Sequence, residues 1–120
     1  MQSFILILAN IVLAVAGQIL IKQGMNKVGS FSGVPLVQFF VKAFSSPLVI
    51  IGLILYVISA GIWVMVLSKV DLSFAYPMLS LGYILILIFS SIYLGESISF
   101  VRVMGVLLIV AGIMFIYRTK

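Results

Sequence analysis

Four stretches of the sequence are long enough and apolar enough to cross a membrane as helices. They run over about 3–23, 48–67, 74–94 and 99–117, and each is nearly free of charge. A transmembrane helix needs about 20 mostly apolar residues to span ~30 Å of hydrocarbon. The pattern therefore predicts an all-α membrane protein, with one domain over 1–120 built from four transmembrane helices.

A shorter apolar segment lies between the first two spans, over about 35–44. It contains three phenylalanines and is interrupted by Gln38 and Lys42. A segment of about ten residues is too short to cross a bilayer. We interpret it as a short helix lying in the membrane interface, with Lys42 directed toward the lipid headgroups. A gate beside a substrate path is the alternative.

The third span combines an apolar side with a side that carries hydroxyl groups. At about 100° per residue, one face collects Ser73, Tyr76, Ser80, Tyr83 and Ser90. Pro77 lies close to the start of this span and removes one backbone donor. Carbonyl groups left without that donor are tolerated at membrane depth only where protein or a polar cavity meets them. The pattern favours a polar site near Tyr76 and Ser80.

The first span also has a narrow, partly polar face. Asn10, Ala14, Gly17 and Gln18 share it, and small residues and amides at such positions are typical of helix packing. Packing is the interpretation we favour for Asn10 and Gly17. Lys22 follows Gln18 by one turn, and two roles are open for it: its ammonium group either reaches the interface beside the lipid headgroups or binds a phosphate.

One face of the second span carries small, polar and aromatic residues, namely Gly52, Tyr56, Ser59, Ala60 and Trp63. Tryptophan is common where a membrane meets water. Trp63 is therefore either an interfacial belt residue or part of a binding site, and the sequence leaves both open.

The fourth span carries a stripe of small residues around Gly105, Leu108, Ala111 and Gly112. Small residues allow two helix backbones to approach closely in a membrane. We expect this stripe to be a dimer interface, either with a second copy of the chain or with a related small subunit.

Composition limits the chemistry. The 120 residues are 65% hydrophobic and 8% charged, with no cysteine and no histidine. Cysteine-based metal sites and the commonest general base are thus absent, so we expect no enzyme, no metal and no cofactor. The net charge of +5 comes from cations spread among the loops, which suits anionic lipid headgroups rather than nucleic acid. The cations divide evenly between the two predicted sides, so the positive-inside rule selects no orientation.

Several motifs resemble a known family. They are AGQILIKQG at 16–24, AYPMLSL at 75–81, LGESIS at 94–99 and the helix GVLLIVAGIMFI at 105–116. They look like the four-helix subunits of the aminoarabinose-phosphoundecaprenol flippase, in the drug/metabolite transporter superfamily with its EamA-like members. The resemblance covers nearly the whole chain except 25–46. It implies transport of a polyprenyl-phosphate-linked sugar across the cytoplasmic (inner) membrane for cell-envelope biosynthesis, usually by two small subunits together.

Small multidrug resistance proteins are the alternative resemblance. They are similar in Gly17, Lys22 and Trp63, but they couple export to protons through a glutamate where this chain has Ala14. No Asp or Glu lies within any predicted span, and a membrane-buried carboxylate is the group that would exchange a cation for protons. A third possibility is a non-transporting assembly subunit whose partner carries the transport site.

These observations lead to a predicted substrate site for the headgroup of a lipid-linked sugar. Moving such a headgroup through hydrocarbon unaided is costly because its polar groups lose water. Lys22 and Arg102 would meet the phosphate, tyrosine and serine hydroxyls would line the path, and the lipid tail would stay in the bilayer. The predicted substrate-binding residues are Gln18, Lys22, Tyr56, Trp63, Tyr76, Ser80, Tyr83 and Arg102.

Overall fold

A computed structural model describes residues 2–119, which form helices and contain no strand. Four segments within these residues are long and apolar enough to cross a membrane, the third being made of two helices. The helices are α1 (Gln2–Val28), α2 (Leu36–Phe44), α3 (Pro47–Leu67), α4 (Leu72–Met78), α5 (Leu81–Tyr93) and α6 (Phe100–Tyr117). The prediction of an all-α protein with four transmembrane helices is confirmed.

The first helix is longer than predicted. It continues past the predicted end at about residue 23 to Val28. Gly24 does not end the helix, because it lies within it and packs against α3. A β-carbon added to Gly24 would lie 2.6 Å from Cγ2 of Val49. The helix ends before Gly29, which has a φ of 101° and whose N–H donates to the carbonyl of Met25 at 2.9 Å. This left-handed conformation is typical of glycine after a helix.

The short helix predicted over about 35–44 is present as α2, with Pro35 at its N-cap. Ala43 is buried, whereas Val37, Val41 and Phe44 are exposed on its surface. An exposed apolar face on a helix too short to cross a membrane fits the interfacial interpretation. The depth of α2 in a membrane stays a prediction.

The most extensive contact between helices joins α1 and α3. At its centre, a β-carbon added to Gly17 would lie 2.6 Å from the carbonyl oxygen of Gly52, and one added to Gly52 would lie 2.5 Å from the carbonyl oxygen of Gly17. The two backbones therefore touch, as small residues permit in membrane helices. The structure gives Gly17 the packing role that the sequence suggested.

Contacts at one end of the bundle show how the helices alternate in direction. The Nζ of Lys69, just after α3, donates to Oε1 of Gln2 at 3.2 Å. The rings of Phe4 and Tyr117, in α1 and α6, lie 6.1 Å apart. The start of α1, the end of α3 and the end of α6 thus share this end, which we call the Lys69 end. The end of α1 and the start of α6 lie at the opposite end.

The fourth transmembrane helix, α6, lies at the edge of the bundle. Val106 and Ile113 pack inward, whereas Leu108 is 73% exposed and Ala111 and Gly112 are exposed beside it. Most of the small-residue stripe therefore faces away from the other helices of its own chain. What covers it stays a prediction.

The Gly17–Gly52 contact generates the first testable prediction. Gly52→Ala should lower the free energy of unfolding by about 1 to 3 kcal/mol, because the added methyl group meets the backbone of α1 and overpacks the contact. Gly61→Ala is the matched control in the same helix, since a β-carbon there meets nothing within 4 Å. Denaturation in detergent, followed by circular dichroism, measures both. Equal stability of the two variants would contradict the close packing of α1 on α3.

Candidate functional site

A cavity of about 420 Å³ lies between α1, α3, the α4–α5 junction and α6. Six of the eight predicted substrate-binding residues line it, namely Gln18, Tyr56, Trp63, Tyr76, Ser80 and Tyr83. The rest of the wall consists of Asn10, Ile11, Ala14, Val15, Ser59, Ala60, Leu79, Gly82, Ile86 and Ile109. The structure therefore brings the predicted hydroxyl, amide and aromatic groups to one place.

The wall formed by the third span is not a continuous helix. The span predicted over about 74–94 is divided into α4 and α5, and the break follows Pro77, which has no N–H to donate within α4. After it, the N–H of Leu79 donates to Tyr76 at 3.1 Å, and the N–H of Ser80 donates to Pro77 at 3.0 Å. Such bonds, spanning three residues, form a tighter turn than an α-helix.

The polar backbone groups at this break lie beside the cavity. Leu79 and Ser80 both line the cavity, so the irregular backbone lies beside an open space instead of facing lipid. Irregular backbone at membrane depth is tolerated in that setting. The stretch still counts as one span, its interruption follows Pro77, where the sequence analysis expected freed carbonyl groups, and Ser80 lies in the cavity wall.

Two aromatic side chains meet at the cavity wall. The rings of Trp63 and Tyr76 lie 6.2 Å apart with an interplanar angle of 71°, an edge-to-face arrangement that aromatic pairs prefer. Trp63 is half-buried, whereas Tyr76 is 63% exposed. Trp63 therefore lies in the cavity wall, and its part in substrate binding stays a prediction.

Two polar residues of the wall were not among the predicted site residues. Ser59 is 3% exposed, and its Oγ donates to the carbonyl of Tyr56 at 2.6 Å. Asn10 is 4% exposed and borders the cavity. Its carboxamide makes no hydrogen bond to the described residues, and its polar atoms are open to the cavity, since no fully buried side-chain nitrogen or oxygen among those residues lacks a partner. The signal in the sequence was that Asn10 shares a helix face with Gln18, although packing alone was the favoured interpretation.

The two predicted cations lie outside the cavity. Lys22 is exposed, one turn beyond Gln18 in α1. Arg102 is exposed in the first turn of α6, where its backbone N–H donates to Oγ of Ser99 at 3.1 Å. Both lie toward the end of the bundle opposite the Lys69 end. The structure does not bring them among the tyrosines, and their part in phosphate binding stays a prediction.

The cavity wall is largely apolar, and the polar groups that it carries are uncharged. None of the described residues that line it carries a formal charge at neutral pH. Ala14 borders it, so the position at which the multidrug family has its glutamate presents a methyl group. Hydrogen bonding through hydroxyls and amides, together with aromatic contact, is the chemistry that this wall offers.

Four membrane-spanning segments around a polar cavity define a small multi-pass membrane protein of the transporter type. A family model described as the EamA-like transporter family matches residues 2–118. The chain belongs to this family, which confirms the resemblance to EamA-like members of the drug/metabolite transporter superfamily.

Several relatives are named as probable flippase subunits. The chain is 34% identical to the probable 4-amino-4-deoxy-L-arabinose-phosphoundecaprenol flippase subunit ArnF of Sodalis glossinidius, over 91% of the chain and 85% of that protein. It is 40% identical to the ArnF of Shewanella sediminis, over 58% of the chain but only 49% of that protein. It is 39% identical to the probable subunit ArnE of Aeromonas hydrophila, over 42% of the chain and 45% of that protein. No solved structure matches the chain significantly.

The cavity generates a second prediction, for which the absence of cysteine from the sequence is an advantage. Ser80→Cys should react with a small water-soluble methanethiosulfonate, because water in the cavity supports the thiolate. Val57→Cys, on the 69% exposed surface of α3, should react at least about tenfold more slowly, because apolar surroundings raise the pKa of a thiol and suppress the thiolate. Labelling in vesicles measures both rates. Comparable labelling rates of the two variants would show that position 80 is no more accessible to water than position 57.

Proposed function

We propose that this chain is a subunit of a flippase that moves a polyprenyl-phosphate-linked sugar across the cytoplasmic (inner) membrane. The observation that carries the proposal is a cavity between the transmembrane helices of an EamA-family protein, with uncharged hydroxyl and amide groups on its wall. The relatives named as flippase subunits for an aminoarabinose-phosphoundecaprenol support the same substrate class.

The cavity lowers the cost of moving the headgroup. Each sugar hydroxyl that leaves water for hydrocarbon without a new partner costs several kcal/mol, roughly 4 to 8 on a hydrocarbon scale. Gln18, Tyr56, Ser80 and Tyr83 offer donors and acceptors along the wall. The polyprenyl tail stays in the bilayer, beside the exposed apolar side chains of the outer helix surfaces.

The phosphate is assigned to Lys22. This residue lies on α1 one turn beyond Gln18, which is the wall residue nearest to it along the helix. A headgroup whose sugar occupies the cavity would place its phosphate toward this end, where an ammonium group binds phosphate oxygens by charge-assisted hydrogen bonds.

Proton-coupled export of cationic drugs is not proposed, because the wall offers no carboxylate among its described residues. Such export depends on an intramembrane acid that binds the drug and protons in turn. The uncharged wall suits a substrate that is recognised by hydrogen bonding.

The active unit is proposed to contain two small subunits packed through α6. The face formed by Leu108, Ala111 and Gly112 is exposed, and a β-carbon added to Gly112 would meet nothing within 4 Å. A facing helix can therefore approach closely. The relatives include proteins named as ArnE and as ArnF subunits, which supports a pair of related chains.

Replacing Lys22 tests the phosphate assignment. Lys22→Ala should slow the transfer of polyprenyl-phosphate sugar between liposome leaflets by roughly 10- to 100-fold, the equivalent of one hydrogen bond to a charged group at ~1.5 to 3 kcal/mol. Transfer is followed by the access of an added enzyme or oxidant to the sugar. Lys22→Arg, which keeps the charge, should retain most of the activity.

Lys27→Ala is the matched control for the Lys22 variants. Lys27 is also an exposed lysine near the end of α1, but it lies on another side of the helix, so its removal should leave transfer unchanged. If Lys22→Ala transfers lipid as fast as the unchanged protein, Lys22 does not bind the phosphate. An equal loss in both variants would indicate general attraction of anionic lipid instead of a specific contact.

Cross-linking tests the assembly face. Leu108→Cys, in a chain that otherwise lacks cysteine, should form disulfide-linked dimers on oxidation in membranes. The reason is that the two introduced cysteines would face each other between the α6 helices of the two subunits. Val57→Cys, equally exposed but on α3, should give several-fold less dimer. Co-expression with a related small subunit that carries the matching cysteine extends the measurement to a mixed pair. Preferential cross-linking through Val57 would place the interface elsewhere.

A further inference from the structure

We propose that the cavity opens sideways into the bilayer and that the polyprenyl tail of the substrate lies in this opening. The opening is bordered by Tyr56 and Ala60 of α3 on one side and by Tyr83 of α5 and Ile109 of α6 on the other. We call it the lateral opening. The proposal rests on the proposed function and adds to it the place at which the lipid enters, with Ala60 as the residue that leaves room for the tail.

The cavity is closed toward the Lys69 end by apolar side chains. Ile7, Val66 and Ile113, from α1, α3 and α6, are buried in one cluster. Each of them lies about one turn beyond a wall residue of its own helix, in the direction of the Lys69 end. A polar headgroup would lose its water among these side chains without gaining partners. Entry from the Lys69 end is therefore unfavourable.

The side of the cavity away from α1 is open. Within residues 2–119, α3 packs extensively on α1 but on neither α5 nor α6. Asn10 of α1 and Ser59 of α3 are buried in the wall. The residues that border the lateral opening are exposed instead, with Tyr56 at 45%, Tyr83 at 40% and Ile109 at 38%. The exposed fraction thus rises from α1 toward the gap between α3 and the other two helices.

The border of the lateral opening is amphipathic. Tyr56, Tyr76 and Tyr83 each combine an apolar ring with a hydroxyl group, and all three line the cavity and are exposed. Such side chains suit a boundary between polar groups and hydrocarbon. Val57 and Val64, on the adjacent surface of α3, are exposed and wholly apolar. The opening therefore joins a wall that carries hydrogen-bonding groups to a surface that suits lipid.

Ala60 leaves room on the α3 side of the lateral opening. It lines the cavity and is exposed, and a β-carbon added to the next residue, Gly61, would meet nothing within 4 Å. Val57 and Val64 lie one turn to either side along the helix, so the two small residues form a depression between larger side chains. A hydrocarbon chain can lie in this depression without displacing protein atoms.

The substrate of the proposed function requires an opening of this kind. Its tail is stabilised by hydrocarbon, because each methylene group taken into water loses the hydrophobic contribution, whereas its headgroup needs polar partners. A cavity closed on all sides would force the whole tail through the protein. A lateral opening lets the tail remain in the bilayer while the headgroup moves along the wall. The occupant assigned to the opening is the part of the tail next to the phosphate.

A helix of a second subunit is the alternative occupant. It would cover the three tyrosines, whose hydroxyl groups would then need hydrogen-bond partners on that helix. The exposed face of α6 around Ala111 and Gly112 permits a closer approach of a second helix, because its residues are small. The tail is therefore the occupant that the border of the opening fits better, and quenching by lipid distinguishes the two.

Fluorescence tests the occupant of the lateral opening, because the chain contains one tryptophan and Trp63 lines the cavity. The purified protein would be placed in nanodiscs of phospholipid with brominated acyl chains, which quench tryptophan on contact. Trp63 should be quenched, and undecaprenyl phosphate should relieve most of that quenching because its tail displaces brominated chains. The same mole fraction of unbrominated phosphatidylglycerol, the control for charge and dilution, should relieve much less. Glucose 1-phosphate, which has no tail, should not relieve it.

Ala60→Phe tests the depression on α3. It should slow the transfer of polyprenyl-phosphate sugar between liposome leaflets about tenfold or more, because the larger side chain occupies the place of the tail. Ile58→Phe introduces the same ring on another side of α3, where Ile58 is exposed, and should leave transfer unchanged. Labelling of Ser80→Cys by a water-soluble methanethiosulfonate should keep its rate when combined with Ala60→Phe, which separates a narrowed opening from a collapsed cavity. If Ala60→Phe does not fold, Ala60→Leu provides the same comparison.

Three results would overturn the proposal. They are no quenching of Trp63 by brominated chains, equal relief by undecaprenyl phosphate and either control compound, or unchanged transfer in Ala60→Phe. Absence of quenching together with disulfide cross-linking of Val57→Cys would assign the opening to a second subunit. Failure of the proposed function looks different. In that case the unchanged protein transfers no lipid-linked sugar, with or without a related small subunit, even where Trp63 responds to undecaprenyl phosphate.

Discussion

The contact on which this structure depends is the one between the backbones of α1 and α3 at Gly17 and Gly52. Because neither residue has a side chain, the two helices meet backbone to backbone, and van der Waals packing of this kind holds helices together where the hydrophobic effect cannot. The contact fixes α1 against α3 over most of their length. Asn10 and Gln18 on one helix are thereby held opposite Tyr56 and Trp63 on the other.

The break in the third span, between α4 and α5, forms part of the cavity wall. A continuous helix would satisfy its own backbone and offer only side chains, whereas Pro77 interrupts the pattern and the turn at Leu79–Ser80 follows. Gly82 then packs closely, since an added β-carbon would lie 3.2 Å from side-chain atoms of Ile11 and Val15. The helices that form the cavity wall are therefore joined by close packing both between α1 and α3 and between α1 and α5.

The charge distribution separates two tasks that a lipid-linked sugar imposes on a protein. Within the described residues, the space between the helices offers neutral hydrogen-bonding groups, whereas Lys22 and Arg102 lie near the end of the bundle where headgroups are expected. Uncharged groups provide partners for hydroxyls without requiring a buried counter-ion, which would be costly to desolvate. This arrangement accounts for a transporter-type protein that has no acidic residue in its spans.

The sequence by itself determined the four spans, the short helix before α3 and the family, because apolar length and helical periodicity are local properties that a membrane enforces on each segment separately. Six of the residues that it placed on polar helix faces line the cavity. Only the tertiary structure decided that Asn10 borders the cavity, that Lys22 and Arg102 do not, and that Gly24 is a packing residue. Those outcomes depend on which helices pack together and on how closely their backbones approach. The periodicity of a single helix encodes neither of these two properties.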